Sequence, residues 1–327
     1  MKNKQPLVSI ITPSYNQGNY IEQTLRSVLF QDYPNIEYIV IDGGSTDNSV
    51  SVIEQYQDRL AFFVSEKDNG QSDAINKGFQ RAKGDIVAWL NSDDVYTEHA
   101  VSRAVAALAK CPGCGFVFGN VLSIDMQSNV FNTMTFGDWG LQDLMRFKII
   151  SQPGLFMHKQ ALDDVGFLNP DFHYLMDHHL WLKIASRYPV QYIDEFWAAA
   201  RYHPEAKNLT GGAHYGKEAF KLYEWMLSHP KLADISRQNQ RKIESGAYHL
   251  QAHYLLDSGQ NWKALMSYLN AAIRNGSIFL SDYQRMGFAL LNSIFSVDQM
   301  RKSYLEKRSR EIQSQNYERF LKYINKN

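Results

Sequence analysis

Ten residues, Asp85-Ile86-Val87-Ala88-Trp89-Leu90-Asn91-Ser92-Asp93-Asp94, join a short apolar run to a pair of carboxylates. Ile86 to Leu90 can be buried as a strand, which leaves Asp93 and Asp94 at its C-terminal mouth. Open α/β sheets hold their ligands at that edge. Adjacent carboxylates repel unless a cation lies between them. A hard divalent ion, Mg²⁺ or Mn²⁺, takes oxygen ligands and completes its sphere with phosphate. The competing reading is a solvated Asp-Asp turn that caps a helix expected from about Thr97.

Three other stretches precede this one: Leu7-Val8-Ser9-Ile10-Ile11-Thr12-Pro13-Ser14-Tyr15-Asn16, then Ile39-Val40-Ile41-Asp42-Gly43-Gly44-Ser45-Thr46-Asp47, then Asp68-Asn69-Gly70-Gln71-Ser72-Asp73-Ala74-Ile75-Asn76-Lys77-Gly78. In this order the chain resembles the family 2 glycosyltransferases, inverting enzymes of the GT-A fold that use nucleotide sugars. The resemblance runs from about Leu7 to Thr210, roughly two thirds of the chain.

Transfer from a sugar nucleotide needs a held nucleoside, a neutralised diphosphate and a deprotonated acceptor hydroxyl. The resemblance implies that Asp42, at the end of the second strand, accepts from a uracil N3–H. Pro13, Ser14, Tyr15 and Asn16 end the first strand and offer backbone groups and a ring to base and ribose. Asp73 opens the third helix near the same crevice and is assigned to the nucleoside, although a first-turn Asp also suits the helix dipole. The family's Asp-x-Asp element falls on Asn91-Ser92-Asp93, so its first acid is Asn here and Asp93 is the expected metal ligand. Whether Asp94 supplies a second carboxylate stays open.

The family's general base lies further on, and Asp177 in Tyr174-Leu175-Met176-Asp177-His178-His179-Leu180-Trp181 matches its last acid, with Met176 in place of a Glu. A carboxylate with an ordinary pKa near ~3.9 needs desolvation to become a useful base. His178 has no assigned role, and His179 is read as a surface histidine or as a neighbour of the site. Gln152 is a candidate for positioning a sugar. Arg201-Tyr202-His203-Pro204-Glu205-Ala206-Lys207 resembles the family's closing loop. There His203 is expected to complete the metal sphere, while Arg201 and Lys207 grip the diphosphate.

The elements that must place these residues follow from periodicity. Apolar runs at Val8–Thr12, Tyr38–Asp42, Ala61–Ser65 and Ile86–Leu90 read as strands. Helical spacing marks Asn19–Phe30, a second helix entered through Ser45-Thr46-Asp47, and Ala74–Ala82. This is a mostly parallel nucleotide-binding sheet flanked by helices. It lacks the Gly-x-Gly-x-x-Gly signature, which argues against a dinucleotide dehydrogenase. Strands are expected near 116–124, 129–135, 149–157 and 190–200, with helices at Leu141–Phe147 and Asp177–Ser186. Beyond about Ala213 the pattern turns helical, at Ser236–Leu256, Trp262–Arg274 and Tyr283–Phe295. The expected organisation is a GT-A domain over 1–212, divided into a nucleotide-binding half (1–110) and an acceptor half (111–212). A helical appendage over 213–327 follows.

Bulk properties narrow the partners. The 327 residues balance 34 basic against 34 acidic side chains, so no global charge points to nucleic acid. Between Arg301 and Asn327 there are eight basic and three acidic residues, and Tyr317, Phe320, Leu321 and Ile324 form an apolar stripe there. That stripe suits either an anionic membrane surface or packing on the helical region. The two cysteines, in Cys111-Pro112-Gly113-Cys114, are read as a turn, because a structural zinc needs four ligands. No apolar run approaches the ~18 residues of a bilayer span, and a cytoplasmic protein is expected.

The composite expectation is a metal-dependent, inverting hexosyltransferase. It moves a sugar from a UDP-sugar to a glycan or lipid-linked acceptor in cell-surface polysaccharide synthesis. The alternatives are a catalytically silent sugar-nucleotide-binding subunit and a sugar nucleotidyltransferase. The latter would want a basic glycine-rich loop after the first strand, where Pro13–Gly18 offers no Lys or Arg.

Overall fold

A computed structural model of the chain describes residues 5–204, 207 and 211–295. The expected terminal stripe at Tyr317–Ile324, and Glu205 and Ala206 of the closing loop, lie outside them. The sheet strands are β1 (Val8–Ser14), β2 (Ile36–Asp42), β3 (Phe62–Ser65), β4 (Ile86–Trp89), β5 (Val95–Tyr96), β6 (Phe116–Ile124), β7 (Val130–Met134), β8 (Leu155–His158) and β9 (Val190–Arg201). The helices in the first two thirds are α1 (Ile21–Leu29), α2 (Ser49–Glu54), α3 (Gln71–Arg81), α4 (Ala100–Lys110), α5 (Leu141–Met145), α6 (Lys159–Val165) and α7 (Met176–Ala185). Then follow α8 (Gly212–Ser228), α9 (Ala233–Gln238), α10 (Gln240–Asp257), α11 (Asn261–Arg274) and α12 (Ser277–Phe295).

The strands lie in the order β3-β2-β1-β4-β8-β6-β9-β5, with β7 on β6. β3, β2, β1 and β4 run parallel, and β8 is antiparallel to both β4 and β6. The chain order reverses between β1 and β4, and the C-terminal ends of those two strands flank the resulting crevice, where open sheets take ligands. Ser14 ends β1 there, and Asn91 to Asp94 leave β4 there.

Alternation along each strand divides the core. Ile10, Val40 and Ala88 enter one buried cluster, while Ile11, Ile39, Ile41, Val87 and Trp89 enter the other. In the second cluster Trp89 stacks on Trp181, with ring centroids 5.2 Å apart. This contact fixes the strand that carries the acidic turn against the helix that carries Asp177. Truncating either ring to Ala would cost about 3–5 kcal/mol.

The same cluster continues into the helical third of the chain through Tyr215, Ala219, Leu222 and Met226 of α8 and Ile243, Ala247 and Leu250 of α10. Farther along, Ala252, Leu255, Ala264, Tyr268, Met286 and Ala289 form a separate cluster. No helix among the described residues is long and apolar enough to cross a membrane.

Several boundaries depart from the sequence reading. The strand expected over 149–157 shortens to β8, because a 3-10 turn at Gln152–Gly154 contains Pro153, which has no N–H to give a ladder. The helix expected over Ser236–Leu256 divides at Asn239. β5, of two residues, is too short to carry a period. The turn expected at Pro112-Gly113 is present, with the Cys114 N–H donating to the Cys111 carbonyl at 2.9 Å. The two sulfurs are also joined in a disulfide.

Candidate active site

A cleft of about 1360 Å³ opens over the sheet edge. Its walls include Ser14 and Tyr15 after β1, Lys67 and Asp68 after β3, Asn91 to Asp94 after β4, and Gln152 and Asp177. Arg201, His203 and Lys207 also reach it. Side chains separated widely in the chain therefore share one cavity. Polar atoms of Ser14 (Oγ), Asn132 (Oδ1) and Gln152 (Oε1) are buried in this wall without a hydrogen-bond partner. Buried polar groups are normally satisfied, so these three are suited to a ligand.

The acidic turn is held from beneath. Arg201 is 3% exposed, and its guanidinium donates to the Asp93 carbonyl, the Asp125 carbonyl, Ser128 Oγ and Gln23 Oε1. Its backbone N–H donates to Asp94 Oδ1 at 2.9 Å. The expected grip of Arg201 on a diphosphate is therefore not what this geometry provides: those donors are spent on the turn itself.

Asp93 and Asp94 diverge. Asp93 Oδ2 lies 3.0 Å from His203 Nε2, and the His203 ring is buried against Tyr20. Asp94 turns inward, where burial and then the neighbouring Asp93 charge push its pKa well up. Among the described residues, Asp93, Asp94 and His203 do not form a three-ligand cluster. The pair of Asp93 oxygen and His203 nitrogen fits a Mg²⁺- or Mn²⁺-class ion that takes its remaining ligands from phosphate and water. Asp94 gives Oδ1 to the backbone of Arg201, and Asp93, Asp94 and His203 do not offer ligand atoms that all lie within 4.8 Å of one another.

Asn91 accepts from Gln71 Nε2 at 2.8 Å, and Gln71 Oε1 accepts from Lys207 Nζ at 2.7 Å. Ser92 is buried in the same wall. Burial lowers the Lys207 pKa, while Asp177, Glu218 and Asp93 act in the opposite direction. This places an amine within the field of both Asp93 and Asp177.

Asp177 begins α7. Its Oδ1 accepts from the His178 N–H at 2.7 Å, yet burial dominates and raises its pKa to about 6. The backbone just before it is fixed from α8, where Glu218 accepts from the N–H groups of His173, Tyr174 and Leu175 at 2.7, 2.7 and 2.8 Å. Neither Glu218 nor this clamp is visible in local sequence.

Other expected positions differ in place. Asp42 is wholly buried, and its oxygens accept from the Gly44 and Ser45 N–H groups and the Ser45 and Ser65 hydroxyls. It stabilises the loop after β2 and does not line the cleft. Asn16 has a left-handed φ of 51° and accepts from the Thr46 N–H, again away from the cleft wall. Asp73 accepts from the Asn69 N–H at 3.0 Å and pairs with Lys77 at 3.6 Å.

The acid that does face the cleft beside β2 is Asp68, whose Oδ2 would lie 2.7 Å from a Cβ placed on Gly43. Gly43 thus lets the carboxylate lie over the backbone. The strand-end rule that pointed to Asp42 points equally to Asp68, three residues past β3. His179 is buried rather than on the surface, and so is His178. His178 bonds the Leu144 carbonyl, and its pKa falls to about 4. His179 lies between the rings of Phe172 and Trp225 with a pKa near 3. Both are neutral core residues.

Comparison with known proteins bears on the family and the fold. Residues 9–164 match the profile of glycosyl transferase family 2. The chain is 26% identical over 276 residues to the Campylobacter jejuni GalNAc(5)-diNAcBac-PP-undecaprenol beta-1,3-glucosyltransferase, covering 80% of this chain and 86% of that one. It spans only 41% of the length of the first curated relatives it matches, glycosyltransferases of Rickettsia at 28–29% identity. The fold is similar to Staphylococcus aureus TarS 1-349 in complex with UDP-GlcNAc, with a TM-score of 0.57, 15% identity, and 85% and 92% of the two chains covered. It is also similar to the Pyrobaculum calidifontis mannosyltransferase PcManGT in complex with GDP-Man and Mn²⁺, with a TM-score of 0.59, 20% identity, and 94% and 86% covered. By profile, residues 9–164 belong to glycosyl transferase family 2, and the chain has the GT-A fold.

Proposed function

We propose that this chain transfers a sugar from a UDP-sugar, with inversion at the anomeric carbon, to a hydroxyl of a glycan or lipid-linked acceptor. The observation that carries the reading is the placement of Asp93 with His203, and of Asp177, in one cleft. Tyr15 and Ser14 offer a ring and a hydroxyl to the nucleoside, and Asp68 offers an acceptor for its N–H or ribose hydroxyls. A divalent ion bound at Asp93 and His203 would supply Lewis-acid neutralisation of the departing diphosphate. Lys207 adds a second positive charge on that side. Asp177 accepts the proton of the acceptor hydroxyl, and a pKa near 6 leaves it ionised at neutral pH yet basic enough to act. Gln152, its Nε2 tied to the Trp89 carbonyl at 2.6 Å, directs its unpartnered Oε1 to a sugar hydroxyl.

The choice of uridine draws on TarS, solved with UDP-GlcNAc, and the lipid-linked class draws on the Campylobacter relative. A cytoplasmic site of action goes with those donors. UDP release from UDP-sugars with Mn²⁺, against a chelator control, is the direct test. Release that requires Mn²⁺ and is lost in Asp177→Asn is expected. Metal-bound UDP without turnover for any sugar nucleotide would instead identify a silent binding subunit.

A further inference from the structure

A second cluster of ligating side chains lies at the far end of the cleft, in the helical third of the chain. His249 and His253 stand one turn apart on α10, and Asp282 faces them from α12. His249 Nε2 is 3.0 Å from Asp282 Oδ2, and His253 Nε2 is 3.4 Å from Asp282 Oδ1. The two imidazole centroids are 4.3 Å apart. One ligand atom from each residue falls within 4.8 Å of the others. All three side chains are mostly covered, at 27%, 30% and 11% exposed. Helical spacing of four places two histidines on one face, and a carboxylate from a packed neighbour completes a mixed nitrogen–oxygen set.

His253 Nε2 has two neighbours that it cannot serve together. Arg285 Nη1 also lies 2.9 Å from His253 Nε2, and a guanidinium only donates. One ring nitrogen cannot accept from Arg285 and donate to Asp282 together. If it accepts, its lone pair faces a carboxylate oxygen. If it donates, its proton faces a guanidinium. A metal ion uses the lone pairs of both histidines and the charge of Asp282 at once. Arg285 is exposed on a long side chain and can move to solvent.

We propose that His249, His253 and Asp282 bind a transition-metal dication of the Zn²⁺ class, at a site separate from Asp93. His249 and His253 line the cleft, so the remaining coordination position opens toward it and takes water or an oxygen ligand. The ion also clasps α10 to α12, joining the last described helix to the one that contributes Ile243 and Ala247 to the main core. This assignment does not depend on the donor or acceptor of the transfer reaction.

The test uses the untagged full-length chain carrying Asp93→Ala and His203→Ala, which silences the other candidate metal position. Calorimetric titration with Zn²⁺ is expected to give one bound equivalent, and Co²⁺ in its place is expected to develop visible absorption. His249→Ala should lose that equivalent while retaining its far-ultraviolet circular dichroism. If that variant does not fold, Arg285→Ala decides: removal of the competing cation should tighten Zn²⁺ binding several-fold. No bound equivalent in the parent, equal binding by His249→Ala, or unchanged or weaker binding by Arg285→Ala would overturn the site.

Discussion

Asp93 Oδ2 and His203 Nε2 lie 3.0 Å apart across 110 residues of chain, while Oδ1 of the adjacent Asp94 accepts from the backbone N–H of Arg201. Neighbouring carboxylates thus have separate tasks. Asp93→Asn and His203→Ala should each lower Mn²⁺-dependent UDP affinity by at least about tenfold, since even indirect partners of a metal ligand are worth that much. Asp94→Asn keeps the acceptor oxygen and removes a buried charge, so its UDP affinity should stay within about twofold of the parent. Isothermal titration with and without Mn²⁺ measures both. A larger loss in Asp94→Asn than in Asp93→Asn would reverse the assignment.

The sheet that holds this site was legible because its strands carry short continuous apolar runs, such as Tyr38–Ile41 and Ile86–Trp89. The acidic turn was legible for the same reason. What eluded the sequence was direction. Asp42 and Asp68 both follow parallel strands, but only the three-dimensional path of the loops puts Asp68 over Gly43 and surrounds Asp42 with donors. Arg201 looked like a phosphate ligand because its charge is obvious, whereas the four acceptors that consume it come from Gln23, Asp93, Asp125 and Ser128. The two histidines after Asp177 looked polar by type, and their aromatic neighbours come from other elements.

Asp177 carries a signed pH prediction. Its folded pKa is raised to about 6 by burial, so the base becomes competent as pH rises through that value. The rate should climb with pH below about 6 and then flatten, and Asp177→Asn should lose roughly 10²- to 10⁴-fold in turnover. Stability runs the other way. A raised carboxylate pKa gives a contribution that is whole below its ordinary value of 3.8 and is lost as pH rises through about 6. Asp177→Asn should therefore melt higher than the parent at pH 8, with the difference shrinking toward pH 4. An unaltered pH–rate profile in that variant would remove Asp177 from proton transfer.

Arg201 should behave as a structural residue. Replacing it with Met leaves the Asp94 carboxylate buried without its nearby cation and leaves the carbonyls of Asp93 and Asp125 without a donor. The cost is expected to be about 3–5 kcal/mol. Arg201→Lys should recover only part of it, because an ammonium cannot span the same four acceptors. Urea denaturation reads the loss. A variant as stable as the parent but poorer in diphosphate binding would instead return Arg201 to the ligand.

Glu218 is the sharpest case of a site residue in an element expected to be an appendage. Its two oxygens take three successive backbone N–H groups, those of His173, Tyr174 and Leu175, immediately before the helix that starts the Asp177 segment. A carboxylate at a helix start also interacts favourably with the helix dipole. Glu218→Gln keeps one acceptor oxygen but exchanges the other for a donor, so at least one N–H loses its partner, at a cost of about 1–3 kcal/mol. The freed segment displaces Asp177 without touching the donor end of the cleft. The turnover number should therefore fall at least about tenfold while the UDP-sugar KM changes little, because only the placement of the base is disturbed. Steady-state kinetics at saturating acceptor separate the two. An equal rise in KM with unchanged turnover would mean that Glu218 serves substrate binding and that the helical third positions the donor rather than the base.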